Sequence, residues 1–291
     1  MNAPVRFDNA DEAASIVTPT PDTLEITPRD RRFGRNAEHF QARWWLNGDP
    51  IATAFYNALS VTFPKGEAFF IESVKAHRDG TPAKLAEEIR AFTMQEVMHS
   101  REHLAFNRRV VDSGYDVSLL EKRVDEILAL VKERPPIVNL AATMALEHFT
   151  AILARELLEN PKHLQGAEKE AGDLWRWHAL EEIEHKAVAY DTWLYATRDW
   201  TRFKRWWVKS LLMLVVTRNF IPQRLAGMLE LLRQDGVTGW RAKARLSWYA
   251  FGNPGMFRKI AFAWLAYFMP GFHPWNADET HLLREYDEVL R

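Results

Sequence analysis

The stretch Phe92-Thr93-Met94-Gln95-Glu96-Val97-Met98-His99-Ser100-Arg101-Glu102-His103 decides how this chain is read. Extended in both directions, Leu85, Ile89, Phe92, Glu96, His99, His103, Phe106 and Val110 follow one another at intervals of four and three. That is the period of a helix with one face turned to a core, yet the middle of this face is ionisable. The pattern recurs downstream. Ile137, Leu140, Met144, Glu147, Ala151, Ala154 and Leu158 form a second stripe, and Ala171, Trp175, His178, Glu182, His185, Ala189, Thr192 and Ala196 a third. An unpaired buried charge costs several kcal/mol, so carboxylates and imidazoles facing inward together need a positive partner, and a divalent or trivalent metal supplies one.

Upstream, Glu67 and Glu72 compete for the remaining position. Glu67 shares a stripe with Tyr56, Ser60, Phe63, Phe70 and Val74, whereas Glu72 shares its face with Lys65, Lys75 and Asp79. Residues level with each other in a helical hairpin are equidistant from the turn, and Glu67 is level with Glu96 and His99 about the Arg78–Pro82 turn. The same test sets Glu147 level with Glu182 and His185. Glu67 is therefore chosen, and the set becomes Glu67, Glu96-x-x-His99, Glu147 and Glu182-x-x-His185. A Glu from each of two helices with Glu-x-x-His from two others is the donor arrangement of di-iron and di-manganese bundles. Positions i and i+3 adjoin on a helix, so one metal can take both, and this donor set suits iron or manganese better than copper.

Neighbouring residues receive lesser roles. His178 lies one turn before Glu182 and adds a third donor to that face. His103, one turn beyond His99, is expected to support a ligand or face the substrate, with direct ligation as the alternative. Glu181, like Glu102 and Glu184, is expected either in solvent or hydrogen-bonded to a metal-bound imidazole. His148 adjoins Glu147 on another face and is expected to make a structural hydrogen bond, or to stand behind the ligands.

The rest of the chain reads as all-α. Helices are predicted over Pro50–His77 (perturbed near Pro64), Pro82–Asp112 with Thr81 as N-cap, Ser118–Lys132, Ile137–Leu158 and Ala167–Thr197. Four long helices with one longer connection predict a ferritin-like four-helix bundle with a helical C-terminal extension. Three regions are expected: a flexible N-terminal arm or a strap over a partner subunit (1–35), the dimetal bundle (36–198), and a Trp-rich basic extension (199–291) acting as lid, dimer or membrane-surface region. Seven of the twelve tryptophans fall in that extension, and its Trp-Arg-Lys mixture suits either packing on the bundle or peripheral membrane contact. The absence of cysteine removes disulfides, thiolate metal sites and iron–sulfur clusters from consideration. A net charge of -1 argues against a dedicated nucleic-acid binder. Met1–Asp30 lacks the continuous apolar run of a signal peptide, and a cytoplasmic location is expected.

The helix pattern resembles the ferritin-like di-iron carboxylate superfamily. The additional His178 is similar to the ligand pattern of the p-aminobenzoate N-oxygenase branch, where an extra imidazole binds one iron. Arg43-Trp44-Trp45, Phe63-Pro64-Lys65-Gly66-Glu67 and His178-Ala179-Leu180-Glu181-Glu182-Ile183-Glu184-His185 also resemble a bacterial family catalogued as predicted metal-dependent hydrolases. The resemblance implies a ferritin-like fold and seven metal ligands: Glu67, Glu96, His99, Glu147, His178, Glu182 and His185.

The function expected from these residues is a non-haem di-iron oxygenase or oxidase, holding two Fe (or Mn) and using O₂ to oxidise a small hydrophobic or aromatic substrate. Such an enzyme would draw electrons from a ferredoxin or reductase, and a homodimer is the expected assembly. The first alternative is a dinuclear metal-dependent hydrolase acting through a bridging hydroxide. The second is a ferroxidase or iron-handling protein.

Overall fold

The computed structural model describes residues 6–7, 16–34 and 42–289. Apart from a two-residue antiparallel ladder between Arg6–Phe7 and Ile16–Val17, the described secondary structure is helical. Helix α1 (Pro50–Ser60) begins on Asp49, whose side chain accepts from the Ile51 amide, with Pro50 in the first turn where a missing N–H costs nothing. It stops at Ser60, and α2 (Phe63–Lys75) starts anew. The single helix expected over Pro50–His77 is thus two, because the Pro64 ring would strike the carbonyl four residues back, at Ser60, in a continuous helix.

Helix α3 (Ala83–Asp112) carries the first stripe. Thr81 is not its cap. Its hydroxyl donates to the Arg78 carbonyl at 2.8 Å and closes the turn, and Pro82 takes the cap position in an extended conformation. A left-handed Gly114 (φ 95°) ends the helix and turns the chain toward α4 (Ser118–Lys132). Helices α5 (Pro136–Glu159) and α6 (Lys169–His185) carry the second and third stripes. The predicted Ala167–Thr197 helix is interrupted at Lys186–Ala187 and resumes as α7 (Val188–Ala196).

Packing closes a ring: α2 lies on α3, α3 on α6, α6 on α5, and α5 on α2. Ile89, Phe92, Leu140, Leu174 and Val74 are fully buried between these helices. Helix α5 is long and apolar enough by composition to cross a membrane, with a mean hydropathy of 1.5 in its best window, yet 78% of that window is buried inside the protein. It is the core helix of this ring.

The C-terminal residues form α8 (Arg202–Gln234), α9 (Gly239–Ser247), α10 (Met256–Lys259), α11 (Ala261–Ala266) and α12 (Thr280–Val289). They pack on the ring, α8 against α1 and α5, α10 and α11 against α5, and α12 against α6. Phe203, Trp207, Leu211 and Leu214 on α8 remain exposed. The N-terminal segment, expected as a flexible arm, is docked over its described part beyond Val17. Thr20 donates to Asp191, Arg29 to Glu181 and Glu184, and Phe33 to Glu102, so residues 18–34 strap α7, α6 and α3.

Candidate metal centre

The stripes of α3, α5 and α6 meet Glu67 of α2 in the middle of the ring. Glu67, Glu96, His99, Glu147, His178, Glu182 and His185 are each 3% exposed or less. Donor atoms of Glu67, His99 and His178 lie within 4.8 Å of one another, as do those of Glu96, Glu147 and His185, and those of Glu96, His99 and Glu182. Glu96 and His99 belong to more than one group, so the three merge into a single cluster. His185 Nε2 stands 3.2 Å from Glu96, 3.5 Å from Glu147 and 3.6 Å from Glu182.

A test of fit to metal lies in the unpartnered atoms. Glu67 Oε1, both oxygens of Glu96, His99 Nδ1, both oxygens of Glu147, Glu182 Oε2 and His185 Nε2 are buried without a hydrogen-bond partner. Buried polar atoms are normally paired, and those left unpaired call for a reason. All of these belong to residues of one cluster, and all are Lewis bases. The residues fit a metal.

Electrostatics agree. Burial, then repulsion from neighbouring carboxylates, raises Glu67, Glu96 and Glu147 well above the usual carboxylate range. Burial pushes Glu182 the same way, but the adjacent imidazoles of His178 and His185 outweigh it and hold Glu182 well below that range. Burial and the neighbouring His178 lower His99. Without a cation, the cluster resists ionisation at three of its four carboxylates.

Each imidazole is oriented from behind. Gln95 Nε2 donates to Glu184 at 2.8 Å and to the Thr27 carbonyl, so its Oε1 faces His185 Nδ1 at 2.9 Å. That acceptor requires the proton on Nδ1 and leaves the Nε2 lone pair facing Glu96 and Glu147. Glu181 stands 3.0 Å from His99 Nε2 and likewise leaves Nδ1 free toward the cluster. Burial raises Glu181 to about 7 against the opposing pull of Arg29, whose backbone N–H donates to it.

His178 is set by a longer relay. Asn107 Nδ2 donates to the Ser60 carbonyl, which turns Asn107 Oδ1 to accept the Ser60 hydroxyl at 2.6 Å. Ser60 Oγ then accepts from His103 Nδ1 at 2.8 Å, and His103 Nε2 accepts from His178 Nδ1 at 2.7 Å. His178 Nε2, 2.8 Å from Glu182, is then the nitrogen that this tautomer offers to a metal. Ser100 donates to Glu67 Oε2 at 2.8 Å. Rings seal the cluster: His99 and His178 stack at 4.2 Å, Phe63 covers His178 at 4.6 Å, and Phe92 meets His185 edge-on at 5.0 Å.

All seven expected ligand residues converge. Of the supporting candidates, His103 and Glu181 each hydrogen-bond one clustered imidazole. His148 does not: its Nε2 faces the Ala263 carbonyl at 3.2 Å and its ring packs on Tyr267 and Phe272, where burial lowers it to about 3. Its neighbour Glu147 points inward, and a one-residue step of roughly 100° about the helix sends His148 to the C-terminal layer. Glu102 and Glu184 are not solvated, since each accepts a backbone N–H of the 18–34 strap. Glu72 pairs with Lys132 at the surface. Sequence reasoning missed Gln95, Ser100, Asn107 and the role of Ser60. Ser60 already lay on the Glu67 stripe, and Gln95 flanks Glu96, so both were within reach of the pattern.

A search of curated proteins and of solved structures finds no match. A family model does match, over residues 27–278, and its description is "predicted metal-dependent hydrolase". The matched span begins within the strap that holds Glu181 and Glu184, contains every residue of the cluster, and covers most of the chain. This chain belongs to the predicted metal-dependent hydrolase family.

Proposed function

We propose that the chain is a dinuclear metal-dependent hydrolase whose ring of α2, α3, α5 and α6 is a ferritin-like four-helix bundle. Its ligands are Glu67, Glu96, His99, Glu147, His178, Glu182 and His185, taken up by two divalent cations. The observation that carries this reading is the convergence of buried Lewis-basic atoms that nothing else in the chain satisfies. Two bound cations supply a water activated near neutral pH and a Lewis acid for a carbonyl or phosphoryl oxygen. The chain's own residues do the rest. Gln95, Glu181 and the Asn107–Ser60–His103 relay hold three imidazoles in the ligating tautomer. Ser100 orients Glu67, and Phe63, Phe92 and Trp177 keep bulk water from the carboxylates.

The donor chemistry favours one second reading. Paired Glu-x-x-His segments with two further Glu and no thiolate also suit two ferrous ions, and the same site would then serve as an O₂-dependent oxygenase or oxidase. A single loading series separates the two. Protein stripped with chelator and loaded anaerobically with Zn²⁺, Mn²⁺ or Fe²⁺ is assayed for metal content and against a panel of carboxylic and phosphoric esters. Two metals per chain, with ester cleavage by the Zn²⁺ or Mn²⁺ form in the absence of O₂ and reductant, is the expected result. Consumption of O₂ by the Fe²⁺ form without ester cleavage by any form overturns the hydrolase reading in favour of the oxidative one. A chain that binds no metal overturns both.

A further inference from the structure

Beside the acidic cluster lies a cavity of about 670 Å³, open to solvent on one side and lined by α2, α4, α5 and α8. Its walls are apolar, with Phe69 and Phe70 from α2, Val131 from α4, Leu146 from α5 and Val216 from α8 among them. The volume falls within the roughly 300–1,000 Å³ of small-molecule sites.

Three features connect it to a ligand. Gly66 lines it from inside α2, next to Glu67, where alanine would favour the helix by about 0.5–1 kcal/mol. A Cβ built on Gly66 meets no atom within 4 Å, so no described neighbour demands the glycine, and the position adds no side chain to the cavity wall. Phe63 and Thr150 line both this cavity and a smaller void of about 30 Å³ against His178 and Glu182, so they form the partition between the cavity and the cluster.

Arg224 is the third feature. Its Nη1 donates to the Ala58 carbonyl at 3.0 Å and to Thr62 Oγ1 at 2.7 Å, while its buried Nε donates to nothing. Among the described residues no carboxylate pairs with it. Burial lowers it to about 10, which leaves it charged at neutral pH. A half-buried guanidinium whose Nε has no partner and that no carboxylate faces is unfavourable, and an anionic ligand supplies what the chain does not. The exposed lining residues form a mouth of apolar Leu130, Pro135 and Val215, polar Asn219 and one further cation, Arg134.

We propose that this cavity binds the substrate, a monoanionic amphiphile whose carboxylate pairs with Arg224 and whose apolar chain fills the space between α2, α4, α5 and α8. The inference rests on the metal-enzyme reading for what becomes of the ligand at the Phe63–Thr150 partition; binding itself does not. Metal-stripped full-length protein is titrated calorimetrically with octanoate and with octan-1-ol. Octanoate binds at least about tenfold more tightly, as expected for one charge-assisted pair. Arg224→Gln abolishes that preference and retains the alcohol. Gly66→Leu and Ala142→Phe, which fill the cavity, weaken both ligands by about tenfold or more while circular dichroism and thermal midpoint report an intact fold. These two carry the test if Arg224→Gln does not fold. Competition with anionic phospholipid vesicles distinguishes a lipid-drawn acyl chain from a free acid. Equal affinity of the wild type for acid and alcohol, or octanoate binding undiminished in both filled variants, overturns the proposal. Metal content measured on parallel loaded samples reads the dinuclear site separately, so either idea can fail alone.

Discussion

The acidic ring and the C-terminal layer both bury charge, and they satisfy it in opposite ways. In the layer, Lys209 is 4% exposed, donates to the Tyr267 carbonyl, and stands 4.5 Å over the Tyr267 ring and 5.0 Å over Phe272. Lys186 pairs with Glu279 and lies 3.7 Å over Trp275. A solitary cation is accommodated there by carbonyls, one carboxylate and aromatic faces, all supplied by the chain. In the ring, Glu67, Glu96 and Glu147 converge with oxygens that have no donor. Like charges cannot satisfy one another, so the ring requires something from outside the chain, whereas Lys186 and Lys209 do not.

The sharpest way to break that contrast is Glu96→Met. Both Glu96 oxygens lack partners, so replacing the carboxylate by an apolar group of similar size should stabilise the metal-free protein by about 1–4 kcal/mol in urea unfolding. The same change should remove most of the stabilisation gained on adding Mn²⁺, which for the wild type reaches about 4 kcal/mol at a thousandfold excess over Kd. A substitution that helps without metal and harms with it is what a ligand predicts. If Glu96→Met destabilises the metal-free protein, the carboxylates already satisfy one another and the contrast collapses.

Next in size is the effect of losing a group that orients an imidazole. Gln95→Leu frees the His185 ring to rotate or change tautomer and should weaken metal affinity by about 10–100-fold, read by chelator competition, with little change in metal-free stability. Ser60→Ala should act similarly through His103 and His178, at the lower end of that range because two links intervene. Unchanged affinity in both would reduce these hydrogen bonds to packing.

A pH series sharpens the same point. Folded-state values of Glu67, Glu96 and Glu147 are raised above the 4.5 of the unfolded chain, by burial first and then by neighbouring carboxylates. Between that value and the raised ones, the folded metal-free protein holds protons that the unfolded chain has released. Stability from these groups is therefore full below 4.5 and lost as pH rises through the folded values. Metal displaces the protons and removes that loss, so the Tm gap between loaded and metal-free protein should widen from about pH 5 to about pH 8. A gap that narrows over this range reverses the sign and contradicts the assignment.

The same distinction explains what could be read from the chain. Converging carboxylates were legible because each sat where a 3.6-residue stripe demanded an apolar residue, and the hairpin test chose Glu67 over Glu72 from spacing alone. Helix interruptions were not. The break at Ser60–Phe63 depends on Pro64 meeting one particular carbonyl, and the lapse at Lys186–Ala187 coincides with Lys186 reaching Glu279, ninety-three residues on. Where the strap lies was illegible for another reason. Residues 18–34 carry little periodicity, and much of their order comes from backbone N–H groups that meet Glu102, Glu181 and Glu184 only in the folded chain. Supporting hydrogen bonds are set by three-dimensional neighbours, and a stripe shows them only when they share its face, as Ser60 does.

A final test addresses the layer's side of the contrast. Burial lowers Lys209 from 10.5 to about 7, so the folded chain binds fewer protons here than the unfolded chain between those values. Charging Lys209 therefore costs stability progressively as pH falls from 10.5 to about 7, and the penalty is constant below that. The Tyr267 carbonyl and two aromatic faces offset part of it. Lys209→Met keeps the aliphatic body and removes the ionisable group. Its advantage over the wild type should be absent at high pH, grow as pH falls toward 7, and level off below that in thermal or urea unfolding. Metal affinity should be unmoved. If Lys209→Met is instead destabilised by several kcal/mol at neutral pH, the lysine is a required cation, and the layer would no longer differ from the ring in how its charge is met.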